Sequence, residues 1–244
     1  MQSLFPPRVQ PGAVLSGRPG RGRGPCRGGG PSGKPNAAAR EGACDVTVWK
    51  APVGKGPHPP WKVLLVDRDG VVILDRGYID RPEDVELVPG AAAAMAQARA
   101  AGWFLCGVSN QSGLGRGLFG PGALESVMER MDHLLAAEGV EFDAFMFCPH
   151  APDAGCACRK PAVGLLAEIG LVEGLDARSF VVGDKTSDVE LGLNLGISPI
   201  LVRTGYGRDS EPVCRARWPR LSIPVVDDLA SAVEFVLGHE ELKS

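Results

Sequence analysis

Four times after residue 60, a short run of bulky apolar residues ends near polar groups and gives way to a segment with helical spacing. This alternation constrains the fold more than any other feature. The runs cover residues 63–72, 103–109, 143–147 and 179–183, each bounded by turn residues and too short for a buried helix. Between them lie an alanine-rich helix over 91–101, stopped by Gly102, and a helix over 121–138 that opens on Pro121. The second of these carries Leu124, Val127, Met128, Met131, Leu134 and Leu135 on one face, while His133 falls off that stripe and reads as solvated. Further helices are expected over 162–169, up to about Leu195, and near 229–237, with two short strands over 199–202 and 223–226. Strand and helix in alternation predict an α/β, Rossmann-like parallel sheet flanked by helices. The polar, turn-rich residues 71–88 are expected to form a small flap, with no large cap domain.

The polar ends of the runs carry the chemistry. Side chains alternate along a strand, so Asp67 and Asp69 share a face and Arg68 points away. Asp-x-Asp-Gly is equally ordinary turn chemistry, and the other strand ends must decide between the two. They carry Ser109 and Asn110, the pair Arg159-Lys160, and Asp184 with Lys185. A parallel sheet gathers such ends on one edge, where ligands bind. Three crowded carboxylates repel one another, and a hard cation such as Mg²⁺, which takes oxygen ligands, resolves the repulsion. The hydroxyl and the basic groups suit an anionic substrate.

Seven cysteines are present, and three of them fall between Cys148 and Cys158. The spacing Cys148-x-His150 followed by Cys156-x-Cys158 fits a closed tetrahedral Zn²⁺ site of structural type better than a disulfide. No continuous apolar stretch resembles an export signal or could cross a bilayer, so a reducing, cytoplasmic setting without a membrane partner is expected. Cys106 sits in an apolar run and reads as a small core residue. Gly115-x-Gly117-x-x-Gly120 matches a dinucleotide fingerprint in letters only. Pro121, not the third glycine, opens the helix, and no acidic strand end follows about twenty residues on. No phosphate-binding Gly-x-x-x-x-Gly-Lys-Ser/Thr loop occurs.

Residues 1–57 differ from the rest. Between Met1 and Lys62 there are ten Lys/Arg against two Asp/Glu, which leaves the remainder of the chain at net -11. Rich in Gly, Pro and Arg and poor in large apolar residues, this stretch cannot offset the entropy of ordering and reads as a disordered extension. No aromatic residues interleave with its arginines, so a nucleic-acid partner is not expected. A start codon placed too far upstream would also account for it. Residues 58–244 then form the working domain.

In combination, Asp67-Arg-Asp-Gly-Val71, Asp75-Arg-Gly-Tyr78, Ser109 to Gly117, Cys148-Pro-His150, Cys156-Ala-Cys-Arg-Lys-Pro161 and Gly183-Asp-Lys185 resemble the haloacid dehalogenase (HAD)-like phosphatases, and within them the heptose-bisphosphate phosphatase branch. The resemblance covers about residues 61–207. It implies Asp67 as nucleophile, Asp69 as acid and base, and Ser109 and Lys160 as stabilisers of the phosphoryl group. It further implies Mg²⁺ held by Asp67, the Asp69 backbone carbonyl and Asp184. Sugar bisphosphate contacts are implied for Asp75, Arg76, Gly77, Tyr78, Ser109, Asn110, Gln111, Ser112, Arg159, Lys160 and Lys185. Ser109 stands where the family more often has Thr, which keeps the hydroxyl. A histidinol-phosphate phosphatase is the near alternative, and a non-catalytic binding protein using the basic arm the distant one. The chain is expected to act as a monomer.

Overall fold

The computed structural model describes residues 47–50 and 60–241, all within one compact unit spanning Gly42–Ser244. Seven strands, β1 (Thr47–Lys50), β2 (Val63–Val66), β3 (Phe104–Asn110), β4 (Ala144–Cys148), β5 (Phe180–Gly183), β6 (Ser198–Val202) and β7 (Val225–Val226), form one sheet in the order β1-β4-β3-β2-β5-β6-β7. Six run parallel, and only β1 is antiparallel, to β4. Seven α-helices connect them: α1 (Ala91–Ala100), α2 (Ser112–Gly115), α3 (Pro121–Ala137), α4 (Gly164–Glu168), α5 (Thr186–Leu195), α6 (Gly207–Arg217) and α7 (Leu229–Glu241). The expected doubly covered parallel sheet is what forms.

β2 shows why. All four of its side chains are fully buried, and they divide by parity between two cores. Leu64 and Val66 pack with residues of α1, α3 and α7. Val63 and Leu65 pack on the opposite face with Leu165 of α4 and Leu191 of α5. A strand buried on both faces must be apolar throughout, which is why it reads as a run and not as an alternation. Each such side chain contributes about 1.5–3 kcal/mol of burial. In α3 the buried residues are Leu124, Val127, Met128, Met131 and Leu135, the expected stripe less the half-buried Leu134.

Three elements depart from the sequence reading. Thr47–Lys50, inside the stretch assigned to the disordered extension, is a strand. Its Trp49 donates from Nε1 to Asp132 Oδ2 at 2.9 Å, tying β1 to α3. The rest of that extension lies outside the described residues. α2 and α6 were not anticipated; α6 contains Pro212 and buries only Gly207, Ser210 and Cys214. The flap is present: Leu74 N–H donates to Glu86 O and Val88 N–H to Val72 O, closing a ribbon anchored by buried Ile79 and Val85. Among the described residues, no helix is long and apolar enough to cross a membrane.

Candidate active site

The C-terminal ends of β2, β3 and β5 and the loop after β4 converge on a cleft of about 400 Å³. Asp67 follows β2 directly and extends its ladder, donating its N–H to Val182 O of β5 at 3.0 Å. Its Oδ1 accepts the Arg68 backbone N–H at 2.7 Å and faces Lys160 Nζ at 2.9 Å. Burial works against the charged form, but Lys160 and Lys185 outweigh it and hold the Asp67 carboxyl below the usual range. Asp184, at the end of β5, is fully buried. Its Oδ2 accepts the Tyr206 N–H at 2.8 Å, and a Cβ on either Gly70 or Gly205, both at positive φ, would overlap that oxygen. Burial first, and the neighbouring Asp67 second, push its carboxyl up to about 7.

Lys160 is enclosed by three oxygens. Nζ meets Asp67 Oδ1 at 2.9 Å, Asp188 Oδ1 at 2.7 Å and Val108 O at 2.7 Å. Burial disfavours its charge, yet Asp188 and Asp67 more than compensate and raise its affinity for the proton. The Asn110 amide grips the Lys160 backbone on both sides, accepting from its N–H at 3.0 Å and donating to its carbonyl at 3.2 Å. Asp67, Asp184 and Asp188 each offer an oxygen within 4.8 Å of the others. Three buried carboxylates against two ammonium groups, with Asp184 and Asp188 both pushed up mainly by burial, are the donor set and negative excess that an oxygen-ligated divalent cation fits.

Just before Lys160, the sulfurs of Cys148, Cys156 and Cys158 and Nδ1 of His150 form a second cluster. Cys148 Sγ lies 3.6 Å from Cys156 Sγ, 3.3 Å from Cys158 Sγ and 3.4 Å from His150 Nδ1, and His150 Nδ1 lies 3.2 Å from Cys158 Sγ. All these cysteines are free thiols. A tetrahedron with metal–sulfur arms of about 2.3 Å has edges of about 3.8 Å, so these four atoms are spaced for a closed zinc site.

The rim is built from the flap and from the loop after β6. Lys185 Nζ lies 3.0 Å from Asp184 Oδ1 and 3.4 Å from Asp75 Oδ2, and sits over the Tyr206 ring at 4.8 Å. Burial disfavours its charge, but Asp67 and Asp184 raise its hold on the proton. Tyr78 and Tyr206, each about half exposed, both line the cleft.

A family model for HAD-hydrolase-like proteins matches residues 157–232. A D-glycero-D-manno-heptose-1,7-bisphosphate 7-phosphatase of Thermosynechococcus vestitus is 38% identical over 74% of this chain and 97% of the relative. The chain belongs to the heptose-1,7-bisphosphate 7-phosphatase family of HAD-like hydrolases. A Pseudomonas putida member is 39% identical over 70% of this chain and 96% of its own length. The crystal structure of the Bordetella bronchiseptica phosphatase, solved with magnesium and phosphate, superposes with a TM-score of 0.66 at 36% identity, covering 73% of this chain and 99% of that one.

Within this heptose-bisphosphatase family cleft, most of the residues singled out in the sequence lie together. Asp67, Asp69, Asp75, Gly77, Tyr78, Ser109, Asn110, Gln111, Ser112, Arg159, Lys160 and Lys185 line it, with Asp184 directly beneath. Arg76 does not line it, and pairs instead with Glu86 Oε2 at 2.6 Å. The sequence reading assigns Asp188 no role in the site. As the third residue of α5 it accepts the Lys185 N–H through Oδ2, a capping role that hid its other oxygen's grip on Lys160. Ser187 and Tyr206 also line the cleft without belonging to any motif quoted from the sequence. Arg68, expected to point away, is buried and turns back on Asp69.

Proposed function

We propose that this protein removes the 7-phosphate of D-glycero-D-manno-heptose 1,7-bisphosphate through an aspartyl phosphate on Asp67, in the route to nucleotide-activated heptose. The observation that carries this reading is the Asp67–Lys160–Asp188 chain at the floor of the cleft. It keeps one carboxylate ionised and oriented where a phosphate would enter. Asp67 attacks phosphorus in line, and the bond to the sugar oxygen breaks as Asp69 supplies that oxygen with a proton. Asp69 then takes a proton from the water that releases phosphate. The Ser109 hydroxyl and Lys160 stabilise charge on the transferring group. Arg159 and the flap residues Asp75, Gly77 and Tyr78 face the sugar end, with Asn110, Gln111, Ser112 and Lys185 closing the sides.

Mg²⁺ would be held by Asp67, the Asp69 carbonyl and Asp184, and supplies positive charge between an anionic nucleophile and a phosphate dianion. Zn²⁺ would occupy the Cys148, His150, Cys156 and Cys158 cluster and order the loop that presents Arg159 and Lys160. Free thiols gathered as metal ligands suit a reducing, cytoplasmic compartment.

The test is phosphate release from heptose 1,7-bisphosphate and from histidinol phosphate, each with and without Mg²⁺. Mg²⁺-dependent release from C7 of the bisphosphate is expected, with histidinol phosphate much slower. Faster turnover of histidinol phosphate would overturn the substrate, and no release from either would overturn the activity.

A further inference from the structure

We propose that Arg68 is the positioning residue for Asp69, aligning the carboxyl group that delivers the proton to the leaving sugar oxygen. The proposal deepens the reading above and rests on Asp69 as the proton donor. Among the described residues, Arg68 is the largest side chain that is essentially inaccessible, 1% exposed. Its Nε and Nη2 converge on Asp69 Oδ1 at 3.1 and 2.8 Å, and Nη2 also reaches Gln111 Oε1 at 3.0 Å. Gln111 completes the clamp from the end of β3, donating from Nε2 to Asp69 Oδ2 at 2.8 Å and to Ser109 Oγ at 2.8 Å. Both Asp69 oxygens are therefore held, one by a neighbour in sequence and one from an adjacent strand end.

The guanidinium itself has little freedom. The Arg68 carbonyl accepts the N–H groups of Val72 and Ile73, each at 3.0 Å, which fixes its Cα in the turn. Nη1 rests 3.7 Å from Met128 Sδ on α3, so the far end of the side chain is backed by the core. A permanently charged, planar fork in such a site imposes a direction on its carboxylate that a lysine cannot reproduce with one ammonium group. Misplacement of a reacting group by about 1 Å can cost about 10²-fold in rate. Here the cost falls on one step, in which the Asp67–phosphorus bond forms, the bond from phosphorus to the sugar oxygen breaks, and the proton passes from Asp69 to that oxygen.

That step distinguishes leaving groups. A sugar alkoxide needs the proton; 4-nitrophenolate, a weak base, leaves without it. kcat/KM, which covers events up to departure of the leaving group, is therefore measured for heptose bisphosphate and 4-nitrophenyl phosphate with the wild type, Arg68→Met, Arg68→Lys and Asp69→Asn. The ratio of the two values for one preparation cancels any loss of folded protein. If Arg68→Met folds poorly, Arg68→Lys still carries the comparison. Arg68→Met and Asp69→Asn are both expected to lose about 10²-fold more on the sugar phosphate than on the nitrophenyl ester, with Arg68→Lys between them and the wild type. Equal losses on the two substrates in both Arg68 variants, alongside a discriminating Asp69→Asn, would overturn the positioning role and leave Asp69 as the acid. An Asp69→Asn variant that fails to discriminate would overturn the acid assignment, and this proposal with it.

Discussion

Asp184 is a carboxylate whose environment leaves it no room and little solvent. It lies between Gly70 and Gly205, whose φ angles of 81° and 54° belong to the left-handed region. Strain from a Cβ there costs about 1–2 kcal/mol, and at Gly205 the added atom would also strike Asp184 Oδ2 and the Gly70 Cα. Gly205→Ala should therefore lose both stability and Mg²⁺-dependent turnover. Gly139→Ala, at a φ of 76° with open space around it, carries the backbone strain alone and should lose less Tm while keeping its kcat/KM and its Mg²⁺ titration. Equal activity in the two variants would contradict the close packing of Asp184. Residues of this kind were partly legible. Asp67, Asp69 and Asp184 stood out because each ends or closely follows an apolar run, and Lys160 because it stands in the Cys156-Ala-Cys-Arg-Lys-Pro161 stretch that carries the family resemblance. Arg68 did not, because β2 stops at Val66 and the chain turns at once, so strand alternation no longer governs where a long side chain goes. Asp188 was hidden by its second occupation as a helix cap.

At the scale of elements, the loop from Cys148 to Lys160 connects the two metal clusters. His150 O accepts from Arg159 Nη1 at 3.4 Å, and Asn110 holds the Lys160 backbone from the neighbouring strand end. Metal binding at such a site is worth about 10 kcal/mol of ordering, far more than these two contacts supply. Cys156→Ser is expected to lose zinc, measured by elemental analysis of the purified protein. Its phosphatase activity should fall by more than the ~10–100-fold that loss of an outer partner costs. A zinc-free Cys156→Ser enzyme with wild-type activity would show that the loop is ordered without metal. The long, apolar elements could be read from the sequence to within a residue or two, because β3 is an unbroken apolar run, α1 is rich in alanine with a glycine stop, and an apolar stripe survives in α3. α6 could not, since its buried positions Gly207, Ser210 and Cys214 are too small to give a hydrophobic signal and Pro212 reads as a break. Thr47–Lys50 was lost for another reason. Four residues inside a basic, Gly-rich and Pro-rich stretch do not alter its average composition, and their partner β4 lies about a hundred residues away in the chain.

For the whole molecule, the sheet order places β2 at the centre and brings the ends of β3 and β5 to either side of it. That arrangement makes a nucleophile, a hydroxyl and a buried acid neighbours although they are separated in sequence by some forty to more than a hundred residues. The fold class followed from the alternation alone; the substrate did not, because the rim that faces the sugar is made of loops with no periodic pattern. The central claim, a covalent phosphate on Asp67, can be tested directly. The enzyme is mixed with Mg²⁺ and heptose 1,7-bisphosphate, quenched during turnover and treated with borohydride, which reduces an aspartyl phosphate to homoserine. Mass spectrometry of the peptides should find homoserine at position 67, dependent on substrate and absent from Asp67→Asn, which should also release no phosphate. Undiminished turnover by Asp67→Asn, or reduction at another carboxylate with position 67 intact, would contradict the account.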